Sequence, residues 1–345
     1  MDRAAISSIV NHETDIFSQL QEFVERDGFI TVSGIKRIRH GRNSQVFLIE
    51  EGNNKWVVKK YHQHAKDRRN RLENETLFLS YLKEIGVARV AEPIAVDVEN
   101  NLGLFSYLPG VVPESINDDI VHQASEFIRA INEFRNQEEA KYLRDASDTS
   151  FSVISHLNLV KQRVNRLNQI VPSGPIQKEV LAFVRSSLVT SLDKIINDIT
   201  NRYSDDELKQ VLSHESRIIS PSDFGVQNML VENSTVHFLD FEYAGWDDPA
   251  KLICDFGCHP EIPVKNRYLQ SFKDSFYSWL DDAEDSIHRS EILINLYRLR
   301  WCCIILNEFT AVGQERRAYA GEIKNYEKQY QKSKIYYERH LSWLT

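Results

Sequence analysis

The chain has 345 residues, 42% of them apolar and 10% aromatic, with 42 lysines and arginines against 50 aspartates and glutamates and a formal net charge of −8. At roughly 100–200 residues per domain this is material for two lobes around a sizeable core, and the composition excludes a disordered or fibrous protein. The acidic balance argues against a broad basic surface for nucleic acid, and the longest strongly apolar run, Trp301 to Leu306, is far short of the ~20 residues of a membrane-spanning helix. No nucleic-acid or membrane partner is therefore expected. The opening residues show neither an apolar core nor a small-residue cleavage site. The four cysteines do not make a disulfide framework in a chain of this length. Both features predict a reduced, cytoplasmic protein; the oligomeric state is not readable.

Residues 1–33 read as a polar helical extension, with Ile6, Ile9, Val10, Ile16, Phe17, Leu20, Phe23 and Val24 at helix-like spacing. The texture then changes. Gln45 to Ile49 and Trp56 to Tyr61 are two β-rich runs around Glu51-Gly52-Asn53-Asn54, which predicts a hairpin. A helix is expected from about Asp67 to Ile85, with Leu72, Leu79 and Leu82 on one face and Gly86 ending it. Pro93 opens an extended stretch, and Leu102 to Leu108 reads as a strand closed by Pro109-Gly110. Beyond that point the pattern is helical. Ile120, Ala124, Phe127, Ile128, Ile131 and Phe134 step by three and four, and similar stripes cover 155–170, 176–198, 265–280, 286–310 and 322–343. Residues 217–245 interrupt it with two short strands, Asn228–Val231 and Val236–Phe241, around Glu232-Asn233-Ser234. The fold class is α+β: a small antiparallel β lobe with one inserted helix (34–108), preceded by the extension (1–33) and followed by a larger, mostly helical lobe (109–345). That order matches a bilobal protein-kinase-like fold.

The informative residues surround the interruption. Asp223 is followed by Asn228, a hairpin and then Asp240, the order Asp-x4-Asn, hairpin, Asp. Phosphoryl transfer needs one carboxylate to orient the acceptor hydroxyl and take its proton, and an amide oxygen with a second carboxylate to hold Mg2+ against the nucleotide phosphates. In the small lobe, Lys59 and Glu75 are placed to form the pair that holds an ammonium over those phosphates. Strand alternation separates Lys59 from Lys60 without saying which faces the site, and Glu73 competes with Glu75. Phe105 to Leu108 falls where a hinge offers groups to the base.

In these segments the chain resembles the aminoglycoside phosphotransferase/choline kinase-like family of small-molecule kinases. The matching pieces are Asn43 to Phe47, Val58 to Tyr61, Glu75 with Phe78-Leu79, Phe105 to Gly110, Asp223 to Asn228 and Leu239 to Glu242, in order over about 200 residues. The resemblance implies a kinase-like fold, ATP or GTP with Mg2+, and transfer of the γ-phosphate to a hydroxyl of a sugar, amino sugar or amino alcohol. By the same carry-over Asp223 is the base, Asn228 and Asp240 are metal ligands, and Lys59, Glu75, Ser44, Ser106 and Leu108 serve the nucleotide. Glu242, Trp301 and Glu308 are candidates for the acceptor site. The resemblance selects Lys59 over Lys60, and the spacing to Phe78-Leu79 favours Glu75.

Two departures stand out. Pro221 occupies the place where the family usually has histidine, and Gly41 is the only glycine of the nucleotide loop. They motivate the alternative of a catalytically degenerate, nucleotide-binding or regulatory module. Cys254 and Cys258, beside His259, read as buried helix residues rather than metal ligands, and Cys302-Cys303 as core. Asp247, Asp248 and Asp255 read as caps and braces of the loop.

Overall fold

The computed structural model describes residues 15–26, 30–40, 44–63, 69–320 and 325–344. Ile6, Ile9, Val10, Gly41, Asn43, Asp67 and residues 322–324, all part of the expectations above, lie outside the described residues.

Helix α1 (residues 15–25) precedes five strands, β1 (Gly34–His40), β2 (Ser44–Glu51), β3 (Asn54–Tyr61), β4 (Pro93–Asp97) and β5 (Leu102–Ser106). The strands form one antiparallel sheet in the order β1-β2-β3-β5-β4. The expected hairpin is β2–β3: Glu51 pairs with Asn54, and Gly52 supplies the positive φ, 57°, that the tight turn requires. Leu20, Phe23 and Val24 of α1 share a core with Phe47, Ile49, Val58 and Leu104, so α1 covers one face of the sheet. Lys60 donates to Gln19 on that helix, and the period of two then turns Lys59 to the opposite face.

Helix α2 (Arg71–Glu84) is inserted between β3 and β4. The Asn70 side chain accepts from the Glu73 amide at 3.2 Å, an N-cap, and Gly86 ends the helix at φ 73°. Strand β5 stops at Ser106, two residues before the expected end. The connector rests on the second lobe: Val111 and Val231 exchange backbone hydrogen bonds, and Gly110, at φ 112°, approaches so closely that a Cβ would lie 2.8 Å from the Val231 carbonyl.

The second lobe contains α3 (Asp118–Glu133), α4 (Val153–Asn168), α5 (Pro175–Phe183), α6 (Thr190–Arg202) and α7 (Asp205–Lys209). These are followed by β6 (Ile218–Ser220), β7 (Met229–Glu232), β8 (Thr235–Phe238) and β9 (Gly245–Asp247), then α8 (Pro249–Cys258), α9 (Asn266–Tyr277), α10 (Ala283–Ile305), α11 (Ala311–Ala320) and α12 (Tyr326–His340). A π-helical segment, Val184–Val189, joins α5 to α6. Strand β6 pairs with β9 and β7 with β8, both antiparallel. The helical stripes read from periodicity are present, but the strand expected over Val236–Phe241 ends at Phe238. The reason is that the Leu239 amide turns to the Asn228 carbonyl at 2.9 Å and Asp240 adopts a left-handed φ of 70°, which breaks the pleat.

One hydrophobic cluster runs through both lobes, from Leu72 and Phe78 through Phe105 to Phe224 and Phe241. Phe127 stacks on Phe238 at 4.0 Å, and Phe78 meets Phe241 at 5.0 Å. At about 1.5–3 kcal/mol per buried large side chain, the Phe78–Phe241 contact fixes α2 against the chain that leaves β8. Among the described residues no helix is long and apolar enough to cross a membrane.

Candidate active site

Strand β6 delivers the loop that carries Asp223. After Pro221 the chain turns tightly: the Asp223 amide donates back to the Pro221 carbonyl at 2.9 Å, and Ser222 sits at φ 67°. That backbone is strained for a residue with a Cβ and persists only where its surroundings over-determine it. Here the Ser222 amide donates to Ser220 Oγ at 2.9 Å, and the Ser222 hydroxyl accepts from Lys251 Nζ at 2.8 Å. A short helical turn then presents Asn228, whose Nδ2 donates to the Asp223 carbonyl at 3.0 Å. The Leu239–Asn228 backbone bond sets Asp240 beside it.

The first lobe meets this loop through Lys59. Its ammonium lies 2.7 Å from Glu75 Oε1 and 3.3 Å from Asp240 Oδ1. Glu75 is buried, accepts from the Tyr61 hydroxyl at 2.6 Å and touches the Phe241 amide at 3.4 Å. Burial alone would lower the Lys59 pKa, but Glu75 and Asp240 more than offset it and hold the ammonium charged. Glu73, the competing residue, lies at the surface against Arg144.

A charged network supports the loop from below. Lys251, fully buried on α8, lies 2.7 Å from Asp247 and 2.8 Å from Asp255 as well as on Ser222. Burial opposes its charge, and the two aspartates restore it. Asp248 caps α8 by accepting from the Ala250 amide at 2.8 Å and pairs with Arg289 and His156. The three aspartates thus brace the loop, as expected from sequence. Cys254 and Cys258 are buried thiols against the α10 backbone, and burial pushes Cys258 up to about 12.

His259 has a different neighbour. Its Nε2 is 3.7 Å from Asp223 Oδ1, its ring is edge-on to Trp301 at 4.4 Å, and its Nδ1 accepts from the Glu261 amide at 3.3 Å. That last bond assigns the ring proton to Nε2, on the side of Asp223. No local spacing signals this contact, because 36 residues separate the two. Lys251 did leave a trace: Asp247, Lys251 and Asp255 stand four apart, the spacing that on a helix places side chains on one face.

A cleft of about 1440 Å3 joins these groups. Ser44, Lys59, Ser106 and Leu108 line it, as do Asp223, Asn228 and Asp240, and Trp301 and Glu308. Two of the expected residues already have partners. Both the amide and the hydroxyl of Ser106, which lines the cleft, are already bound to Glu92, at 2.9 Å each. Glu242 also lines the cleft, but it is 4% exposed and lies 3.6 Å from Arg71. Burial first and Asp240 second raise its pKa to about 7. A cation site would draw on one carboxylate, Asp240, and one amide oxygen, Asn228. Hard oxygen donors of this kind, completed by phosphate oxygens, suit Mg2+.

The family model described as phosphotransferase enzyme family matches residues 34–260. No curated protein matches by sequence. Among solved structures, a spectinomycin phosphotransferase in complex with ADP and spectinomycin is 12% identical over 94% of each chain, with a TM-score of 0.62. The choline kinase LicA from Streptococcus pneumoniae is 13% identical over 95% of this chain and 99% of its own, with a TM-score of 0.57. A choline/ethanolamine kinase family protein from Mesorhizobium loti is 14% identical over 96% and 98%, also at 0.57. At such identities the likeness is one of fold.

Proposed function

The chain belongs to the phosphotransferase enzyme family, and from that premise we propose that it moves the γ-phosphoryl group of ATP to a hydroxyl of a small molecule, with Mg2+ as cofactor. The observation that carries this reading is the meeting of Lys59 with both Glu75 and Asp240, at 2.7 and 3.3 Å, over the loop of Asp223 and Asn228. Adenine is favoured as the base because the spectinomycin phosphotransferase neighbour was solved with ADP.

In this reading the nucleotide enters between Ser44 and Leu108, and Lys59 holds its phosphates. Asn228 and Asp240 would hold Mg2+, which when bound neutralises charge on the phosphates. Asp223 receives the proton of the acceptor hydroxyl as the new O–P bond forms and the bond to the ADP oxygen breaks. His259 keeps that carboxylate turned to the cleft. Catalysis is then mostly positioning and electrostatic stabilisation. Pro221 had favoured a module without turnover. The support of the loop by Lys251 and His259, which does not depend on residue 221, favours transfer.

The test is Asp223→Asn. The variant should keep its thermal stabilisation by Mg-ATP and lose acceptor-dependent ADP release, by on the order of 10²–10⁴-fold. Normal turnover in this variant would overturn the assignment.

A further inference from the structure

Arginines line one part of the cleft wall. Arg163 on α4 and Arg300 on α10 share Asp148, a residue at φ 56° on the segment that also receives the Ser222 hydroxyl, through the Ser147 carbonyl at 3.2 Å. Arg300 is 8% exposed and reaches on to Asp255 at 3.2 Å. Arg166 lies one turn beyond Arg163 and lines the same wall, as does Lys328 from α12.

The acidic side chains there are already committed. Asp148 serves two arginines, Asp255 serves Arg300 and Lys251, and Glu261 is paired with Lys332. Glu308 is buried and partnered. Among the described residues, Arg166 and Lys328 have no acidic partner, so the surplus charge of the wall is positive although the whole chain is acidic. On this wall a cationic acceptor would face Arg166 and Lys328, whereas an anion meets pre-oriented guanidinium groups, the side chain best shaped for carboxylate or phosphate.

We propose that the acceptor is itself an acid, whose carboxylate or phosphate docks on the wall of Arg163, Arg166 and Arg300 while its hydroxyl meets Asp223. The inference rests on the phosphotransfer reading and narrows its substrate class.

The test uses the full chain with Mg2+ and ATP, or a non-hydrolysable analogue for binding. Gluconate and glucuronate form the carboxylate arm, glucose 6-phosphate the phosphate arm, glucose the neutral control, and glucosamine and choline the cationic arm. Thermal stabilisation and ADP release should be confined to one of the acidic arms, and which one responds identifies the anionic group. In Arg166→Gln, the KM of the responding acid should rise about tenfold, the cost of one charge-assisted contact, with the KM for ATP unmoved. Phosphorylation of glucosamine or choline in preference to the acids overturns the proposal, and so does silence from both acidic arms. A rise in the KM for ATP instead of the acceptor also overturns it, by assigning the arginines to the nucleotide. If an acid binds in an Arg166-dependent way but no ADP forms, the transfer reading fails while the anion site stands.

Discussion

Lys251 shows how one side chain fixes a functional backbone. Its ammonium satisfies two buried aspartates and holds Ser222 in the left-handed conformation that aims Asp223 into the cleft. Removing one member of such a buried group leaves the others uncompensated, which costs about 3–5 kcal/mol. Lys251→Met should therefore lower the unfolding free energy by that amount, read as a lower urea midpoint at constant slope. Adding Asp247→Asn should recover part of it, because one of the stranded charges is then gone. A single mutant with an unchanged midpoint would mean that the loop holds its shape without the lysine. The bracing aspartates were legible in the sequence. The lysine left only its spacing of four from Asp247 and Asp255, which on a helix ordinarily marks a solvated surface pair.

Among the elements, the hairpin β7–β8 matters most, because Asn228 lies just before it and Asp240 just after. Its two-residue loop has φ 47° at Asn233 and 68° at Ser234, the type I′ geometry that suits the twist of the flanking strands. Asparagine tolerates that region, and serine pays more for it. Ser234→Gly keeps the backbone carbonyl that accepts from Gln123 at 2.8 Å and relieves the strain. It should raise stability by about 0.5–1 kcal/mol, read as a higher urea midpoint at constant slope; a lower midpoint would show that the left-handed residue carries no strain.

At the scale of the whole molecule, buried carboxylates shape stability against pH in two opposite ways. Burial alone would raise Asp148 and Asp248. Arg163 and Arg300 hold the first well below the carboxylate range, and Arg289 with His156 holds the second at about 2. Their contribution is present above the ordinary carboxylate pKa and is lost as pH falls through the folded value. Glu242 has the other sign. Its pKa is raised from 4.5 to about 7, so its contribution is full below the lower value and lost as pH rises through the upper one. Unfolding free energy should therefore decline between about pH 5 and 7, and Glu242→Gln should flatten that decline. Urea titrations at several pH values measure it, and equal slopes in variant and wild type would place the titration elsewhere.

The β2–β3 hairpin, the inserted helix with its Gly86 stop and the helical stripes beyond Gly110 were all written in the sequence, because periodicity, caps and turns depend on neighbours a few residues away. The order of Lys59, Glu75, Asp223, Asn228 and Asp240 was legible for the same reason: each sits in a short segment of recognisable chemistry. What faces what was not. Docking of α1 took Lys60 and turned Lys59 to the cleft. The bond from Leu239 to Asn228 ended β8 three residues early, and Glu242 was buried against Arg71. His259 was brought to Asp223, and Arg163 and Arg300 were joined on Asp148, by helices distant in the chain. Burial and charge pairing are properties of surfaces brought together by folding, so only the tertiary structure could decide them.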